Sequence, residues 1–231
     1  MLDIKKVSLA YRGAKILDGV SFTVEPGEIC ALVAPNGSGK TTLMKAVGAH
    51  IWPDQGHCLA DEIDSARKTA AYTSKVLYVP DGGKLLHDDL SVFEHLQATK
   101  CLWHSDADLN AVSKQCLTDE MLSKRGKALS QGMKQQASLA IACMSQARYI
   151  LFDEPTNGFD QTNSRMFWKV VSQLAQHDTG IVISSHILNE LDEMCDTVYF
   201  LKDGRLIRPH DQGYRGSCSE IYAQLYEGNG P

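Results

Sequence analysis

The chain has 231 residues, 43% of them hydrophobic, and a formal net charge of −5, enough to build a full core as one domain or one domain with a subdomain. The acidic balance and the lack of any long Lys/Arg run exclude nucleic acid as the first expected partner. The seven cysteines are scattered with no C-x-x-C pair, which argues against a disulfide framework or a zinc site and for a reducing compartment.

The opening MLDIKKVSLAYRG carries no apolar stretch, so no signal peptide is expected. No apolar run along the chain approaches the roughly 18 residues that a membrane span requires. Residues 2–10 (LDIKKVSLA) and 20–24 (VSFTV) read as strands, and Pro26-Gly27 turns the chain into a third at 29–33 (ICALV), short and apolar enough to be buried. Next comes APNGSGKTT, with the spacing of the phosphate loop G-x-x-x-x-G-K-[ST] and Ala34 at the first glycine position. A helix opens after the loop and runs toward Gly48. Strand, loop and helix in this order make an anion site from backbone N–H groups and the helix N-terminus. Lys40 would reach the β- and γ-phosphates and the Thr41 hydroxyl would ligate Mg²⁺.

Residues 53–75 are polar and mixed, with weak strand signals near Cys58. Val76–Val79 (VLYV) reads as a buried strand, closed by the turn Pro80-Asp81-Gly82-Gly83. From Leu90 to about Arg148 helical patterns take over. Ser91 to Glu94 forms a capping box, and Met133, Ala137, Ala140, Ile141 and Met144 share one helix face. The α/β pattern resumes with a strand at Tyr149–Asp153, a helix over 163–177 and a strand at Gly180–Ser185. A short helix at Ile187–Cys195, a strand at Thr197–Leu201, the turn Asp203-Gly204 and a helix near 219–226 follow. Alternating strands and helices predict a mostly parallel sheet.

Three further stretches carry chemistry. YILFDEP ends an apolar strand in two carboxylates, at the sheet edge where ligands of α/β proteins sit. Behind a phosphate loop, Asp153 would hold the Mg²⁺ shell and Glu154 would orient and deprotonate a water in line with the γ-phosphate. LSQGMKQQ places Ser130 as an N-cap with open backbone N–H groups at Gln131 and Gly132, a second anion site or an ordinary capped helix. His186 in SSH can hydrogen-bond a γ-phosphate or an attacking water, although a lone histidine is more often structural. Tyr11 could stack on adenine or be a plain surface or core tyrosine.

The order Tyr11, APNGSGKTT, LSQGM, YILFDEP, NGFD (157–160) and SSH resembles the ATP-binding cassette (ABC) ATPases, from residue 2 to about 205. The resemblance implies a P-loop NTPase fold of the α/β class. It would have a mostly parallel central sheet, an N-terminal antiparallel β segment and an inserted α-helical subdomain. In one domain over 1–231, residues 1–83 and 149–205 would form the core, 84–148 the helical subdomain carrying the signature, and 206–231 a C-terminal tail. ATP and Mg²⁺ are the implied ligands. Asn36, Gly37, Ser38, Gly39, Lys40, Thr41 and Thr42 would bind the nucleotide, with Tyr11 on the adenine. Ser130 and Gly132 of a second copy, or of a paralogous ATPase packed head to tail, would close the site. Glu154, His186 and Lys40 are the implied catalytic residues, Thr41, Asp153 and Asp81 the metal-side residues, and Asp160 the residue coupling two sites.

The same resemblance implies an ATP-hydrolysing transport subunit. It would be cytoplasmic and peripheral on the inner face of the cell membrane, bound there through separate transmembrane permease subunits. An exporter of peptides, antibiotics or lipids fits DEPTNGFD best. The alternatives are a soluble ABC ATPase of iron–sulfur assembly type and a regulatory ATP-binding subunit.

The chain departs from the family pattern at three places. Ala34 replaces a glycine, which is tolerable if its φ is negative. Gln131 and Met133 alter LSGGQ. Asp81 stands where the family has a glutamine after the strand, so it would either bind the metal more tightly or fall short of it. The expected permease socket is the groove over Asp81–Leu96, where Leu85, Leu86, Leu90 and Phe93 either line the socket or fill the core.

Overall fold

The computed structural model describes residues 1–186, 188 and 190–228. The strands and helices in chain order are β1 (Leu2–Tyr11), β2 (Ala14–Val24), β3 (Ile29–Val33), α1 (Lys40–Val47), β4 (Gln55–Ala60), β5 (Ile63–Asp64), α2 (Thr69–Thr73) and β6 (Val76–Val79). They continue as α3 (Val92–Leu102), α4 (Leu109–Gln115), α5 (Gln131–Ser145), β7 (Tyr149–Asp153), α6 (Gln161–Gln176) and β8 (Gly180–Ser185), and end with α7 (Leu191–Met194), β9 (Thr197–Lys202), β10 (Arg205–Ile207) and α8 (Cys218–Tyr226).

Two sheets result. One is antiparallel, in the order β2-β1-β4-β5; the other runs β10-β9-β3-β8-β7-β6 and is parallel except for the β9/β10 hairpin. The α/β class and the N-terminal antiparallel segment are as the sequence predicts. β3 and β7 are buried at every residue, which explains their unbroken apolar runs. Side chains along β3 alternate between two cores. Ala31 and Val33 pack with α5 and α6 residues such as Ala140 and Phe167, whereas Cys30, Leu32 and Ala34 pack with α1 and the antiparallel sheet. The parallel sheet is thus covered on both faces. Because β3, β6, β7 and β8 run parallel, their C-terminal ends open onto one edge, and four chemistry-bearing loops meet there.

Several boundaries differ from the sequence reading. β2 begins at Ala14 rather than residue 20, because pairing with β1 from Tyr11↔Ala14 to Leu2↔Val24 holds a segment of weak strand propensity. The helix expected over Ile187–Cys195 is shorter. Ile187 and Asn189 lie outside the described residues, and of the rest only Leu191–Met194 is helical. The short α2, β5 and β10 were not predicted. Both helix starts with capping signals form as expected. Ser91 and Glu94 make a reciprocal capping box on α3, and Ser130 caps α5 by accepting from the Met133 N–H at 3.3 Å.

Candidate functional site

At the sheet edge lies a cleft of about 410 Å³, lined by Ile16, Asn36–Thr42, Asp81, Glu154, Asn157 and His186. The loop after β3 builds its floor. Gly37 and Gly39 take φ of +80° and +104°, which side chains rarely adopt. A Cβ on Gly39 would also stand a tight 3.0 Å from the Ile16 side chain, which adds to the demand its φ makes for glycine. Ala34 has no positive φ, and its methyl is fully buried in the core. The departure from glycine therefore costs the loop nothing, and the condition set by the sequence is met.

Lys40 opens α1 and is buried. Its ammonium donates to the Ala34 carbonyl at 2.6 Å and the Pro35 carbonyl at 3.4 Å, and stands 3.4 Å from Glu154 Oε1. The last is a charge contact without hydrogen-bond geometry. Glu154 Oε1 and Ser38 Oγ are buried with no hydrogen-bond partner. An unsatisfied carboxylate oxygen and hydroxyl beside a cleft that holds a buried ammonium fit a polar, anionic ligand.

Glu154 is itself left-handed, with φ +48°. A non-glycine residue in that region carries backbone strain. It is held by its N–H, which donates to the Ser184 carbonyl at 3.1 Å and to Ser184 Oγ at 2.9 Å. Gln135 of α5 donates to the Glu154 carbonyl at 3.3 Å. The other carboxylate oxygen, Oε2, lies 2.7 Å from Nδ1 of His186. Lys40, Glu154 and His186 are therefore brought together in one cleft.

Asp153, next to Glu154 but not itself part of the lining, is 2% exposed and takes hydrogen bonds from Ser184 Oγ at 2.6 Å and Tyr78 OH at 3.1 Å. Burial first, and then the Asp153 charge, pushes the Tyr78 phenol far above its usual range, so it stays a donor. Asp81 lines the cleft and is reached by the Asn157 amide at 3.5 Å. Thr41, Asp81 and Asp153 offer only oxygen donors, the chemistry of a hard cation such as Mg²⁺. Among the described residues no group of three His, Cys, Asp or Glu forms a complete metal cage. Mg²⁺ commonly binds this way, through one or two carboxylates together with substrate phosphates.

Two expected groups lie apart from the cleft lining. Tyr11 is 64% exposed, with the Arg12 guanidinium 5.5 Å from its ring centroid. Ser130 and Gln131 are exposed at the start of α5, and a Cβ on Gly132 would meet the Gly158 carbonyl at 3.2 Å. Asp160 caps α6 by accepting from the Asn163 N–H at 2.8 Å. In the expected socket, Leu85 and Leu86 pack partly against the core, whereas Leu90 and Phe93 are exposed, so the two readings of these residues divide between them. The sequence reading missed Ile16, Tyr78 and Ser184. Only strand adjacency brings them to the site, and no local pattern announces them.

A sequence model of the ABC transporter family matches residues 17–157. The ABC transporter ATP-binding protein NatA of Bacillus subtilis (strain 168) is 31% identical over 95% of this chain and 87% of its own. The lantibiotic transport ATP-binding protein SrtF of Streptococcus pyogenes is 26% identical over 96% of both chains. An arabinose import ATP-binding protein AraG of Pseudomonas fluorescens matches at 28%, along 42% of its own length. A solved structure described as the ATP binding subunit of an ABC transporter superposes with a TM-score of 0.89 at 26% identity, covering 97% of this chain and 99% of the other.

Proposed function

The chain belongs to the ABC transporter family and is an ATPase of it; from that premise we propose that it drives export through separate permease subunits, with the cleft at the sheet edge as its ATP site. The observation that carries the ATP site is the constellation at Glu154. One carboxylate oxygen is buried without a hydrogen bond beside the Lys40 ammonium, and the other is engaged by His186.

On this reading the 36–42 loop cradles the phosphates, and Lys40 exchanges its contacts with Ala34, Pro35 and Glu154 for phosphate oxygens. That exchange frees Glu154 to accept a proton from an attacking water, with His186 holding its other oxygen in line. Tyr11 covers the adenine. Thr41, Asp153 and Asp81 are the residues that would hold Mg²⁺, and a bound Mg²⁺ supplies neutralisation of developing phosphate charge. Ser130 and Gly132 serve the γ-phosphate of a second copy, or of a paralogue, packed head to tail. The exposure of Ser130, and the absence of both residues from the lining of their own cleft, support that reading. Asp160, at the start of α6, couples the two sites.

Among the described residues no helix is long and apolar enough to cross a membrane. Work at the inner face of a membrane therefore needs partner subunits, and the exposed Leu90 and Phe93 are the surface offered to them. Asp81, in the family's glutamine position, alters the coupling between that surface and the metal. Export of a peptide, antibiotic or lipid is the reading drawn from DEPTNGFD, and similarity to the lantibiotic transport protein along 96% of both chains is compatible with it.

The ATP site is tested by Mg²⁺-dependent ATP hydrolysis of the purified chain. Export is tested with the permease complex in inside-out vesicles. ATP added outside should drive a labelled cationic peptide antibiotic or lipid inward; ATP-driven loss of preloaded cargo from those vesicles would mean import. For Asp81, permease-stimulated hydrolysis unchanged in Asp81→Gln would remove the coupling role.

A further inference from the structure

We infer that Tyr78 and Ser184 are positioning residues that set the Mg²⁺ dependence of nucleotide binding by clamping both oxygens of Asp153, an inference resting on the reading of the cleft as a Mg-ATP site. Asp153 lies at the end of β7, and Ser184 is its register partner on β8. Tyr78 stands on the opposite neighbour, β6, paired with Leu151. A buried carboxylate is thus gripped from both flanking strands. Ser184 Oγ donates to Oδ1 at 2.6 Å and Tyr78 OH donates to Oδ2 at 3.1 Å.

Each hydroxyl has a single proton, and both are spent on Asp153. The Ser184 oxygen in turn accepts the Glu154 N–H at 2.9 Å. One side chain therefore locates the metal-side carboxylate and the backbone of the proposed base together. The Tyr78 ring is fixed edge-on against His50, with centroids 5.0 Å apart. Tyr78 also lies three residues before Asp81, so the strand that grips Asp153 leads into the turn that carries the third metal-side residue.

A tyrosine that merely fills the core can be exchanged for phenylalanine without consequence for a cation. A tyrosine that orients a carboxylate cannot. Removing its hydroxyl leaves a buried, charged oxygen without that donor and free to turn, at the cost of a charge-assisted hydrogen bond. The orientation is needed only when a cation is to be bound, so the loss is selective.

The test is equilibrium binding of a fluorescent ATP analogue to the full chain, in EDTA and across a Mg²⁺ titration, with melting temperatures in EDTA alongside. For Tyr78→Phe we expect affinity in EDTA within about twofold of the parent and a half-saturating Mg²⁺ concentration raised at least about tenfold, the low end for a lost hydrogen bond to a charged group. Ser184→Ala should move the same way and, because it also loosens Glu154, lower the rate of hydrolysis at saturating Mg²⁺ more than Tyr78→Phe does. An unchanged Mg²⁺ titration in a folded Tyr78→Phe, or equal weakening with and without Mg²⁺, would overturn the inference and leave the Mg-ATP reading standing. A parent protein whose nucleotide binding ignores Mg²⁺ would overturn both.

Discussion

The two ends of α5 and β7 face the same chemistry in opposite ways. At the end of β7, Asp153 is buried and Glu154 half-buried, both gripped from neighbouring elements, and Glu154 lines a cleft that the same chain builds. At the start of α5, Ser130 and Gln131 lie open to solvent, and no residue of that stretch lines the cleft. One region is a nearly finished half-site; the other is a donor surface with nothing of its own to donate to. On the proposed head-to-tail pairing, completeness of the site is a property of an assembly rather than of the fold. The difference also teaches where substitutions should hurt: chemistry at the buried end, and assembly at the exposed one.

The buried end should give the largest effect. Glu154→Gln keeps the shape and removes the base, and hydrolysis should fall by roughly 10²–10⁴-fold while nucleotide binding is retained. A variant that still turns over ATP near the parent rate would mean that the orphaned oxygen has another purpose. Next in size is the support beneath that end. Phe152 is 1% exposed and packs edge-on to Phe167 at 5.5 Å, so Phe152→Ala should cost about 3–5 kcal/mol in urea unfolding. A loss under about 1 kcal/mol would show that the core under the site repacks freely.

The exposed end should respond more gently in stability. Ser130→Ala removes an N-cap worth about 1 kcal/mol, so melting should shift only slightly even where hydrolysis suffers. A melting loss as large as that of Phe152→Ala would erase the contrast between the two regions.

The smallest effect lies far from both. Burial works against ionisation of Asp61, yet Lys75 at 2.7 Å, the Tyr149 hydroxyl at 2.6 Å and the N-terminal ammonium at 2.9 Å together hold its carboxyl well below the usual range. A carboxylate depressed on folding contributes stability that is present above its unfolded pKa and lost as pH falls through the folded one. Asp61→Asn should therefore be less stable than the parent at neutral pH. The gap should narrow as pH drops below about 4, where the unfolded carboxyl titrates. Parallel stability curves down to acid pH would contradict this.

Much of the site was legible in the chain because local sequence builds it. The glycines of the 34–42 loop, the apolar run ending in Asp153-Glu154 and the capping serines at 91 and 130 each act through their immediate neighbours. What stayed hidden depends on which strands lie side by side. Nothing in VLYV marks Tyr78 as the partner of Asp153, and nothing in GIVISS marks Ser184. Both become visible only once β6, β7 and β8 are adjacent. Ile16 is hidden for the same reason: AKILDG is too polar to read as strand, and pairing with β1 makes it one. Ala34 is the converse case. The chain shows the departure from glycine, and only the backbone shows that its φ permits it.

The central claim is that the two unequal ends complete each other between copies, and complementation tests it most directly. Lys40→Ala disables the cleft and leaves the α5 end intact. Ser130→Asp keeps a capping side chain but sets a negative charge against an incoming phosphate, disabling the α5 end alone. Each protein by itself should be nearly inactive. Mixed in equal amounts, they form pairs in which one parental cleft meets one parental α5 end, and a substantial fraction of ATP hydrolysis should return. A mixture no more active than the sum of its parts, from two proteins that each remain folded, would contradict a site shared between copies.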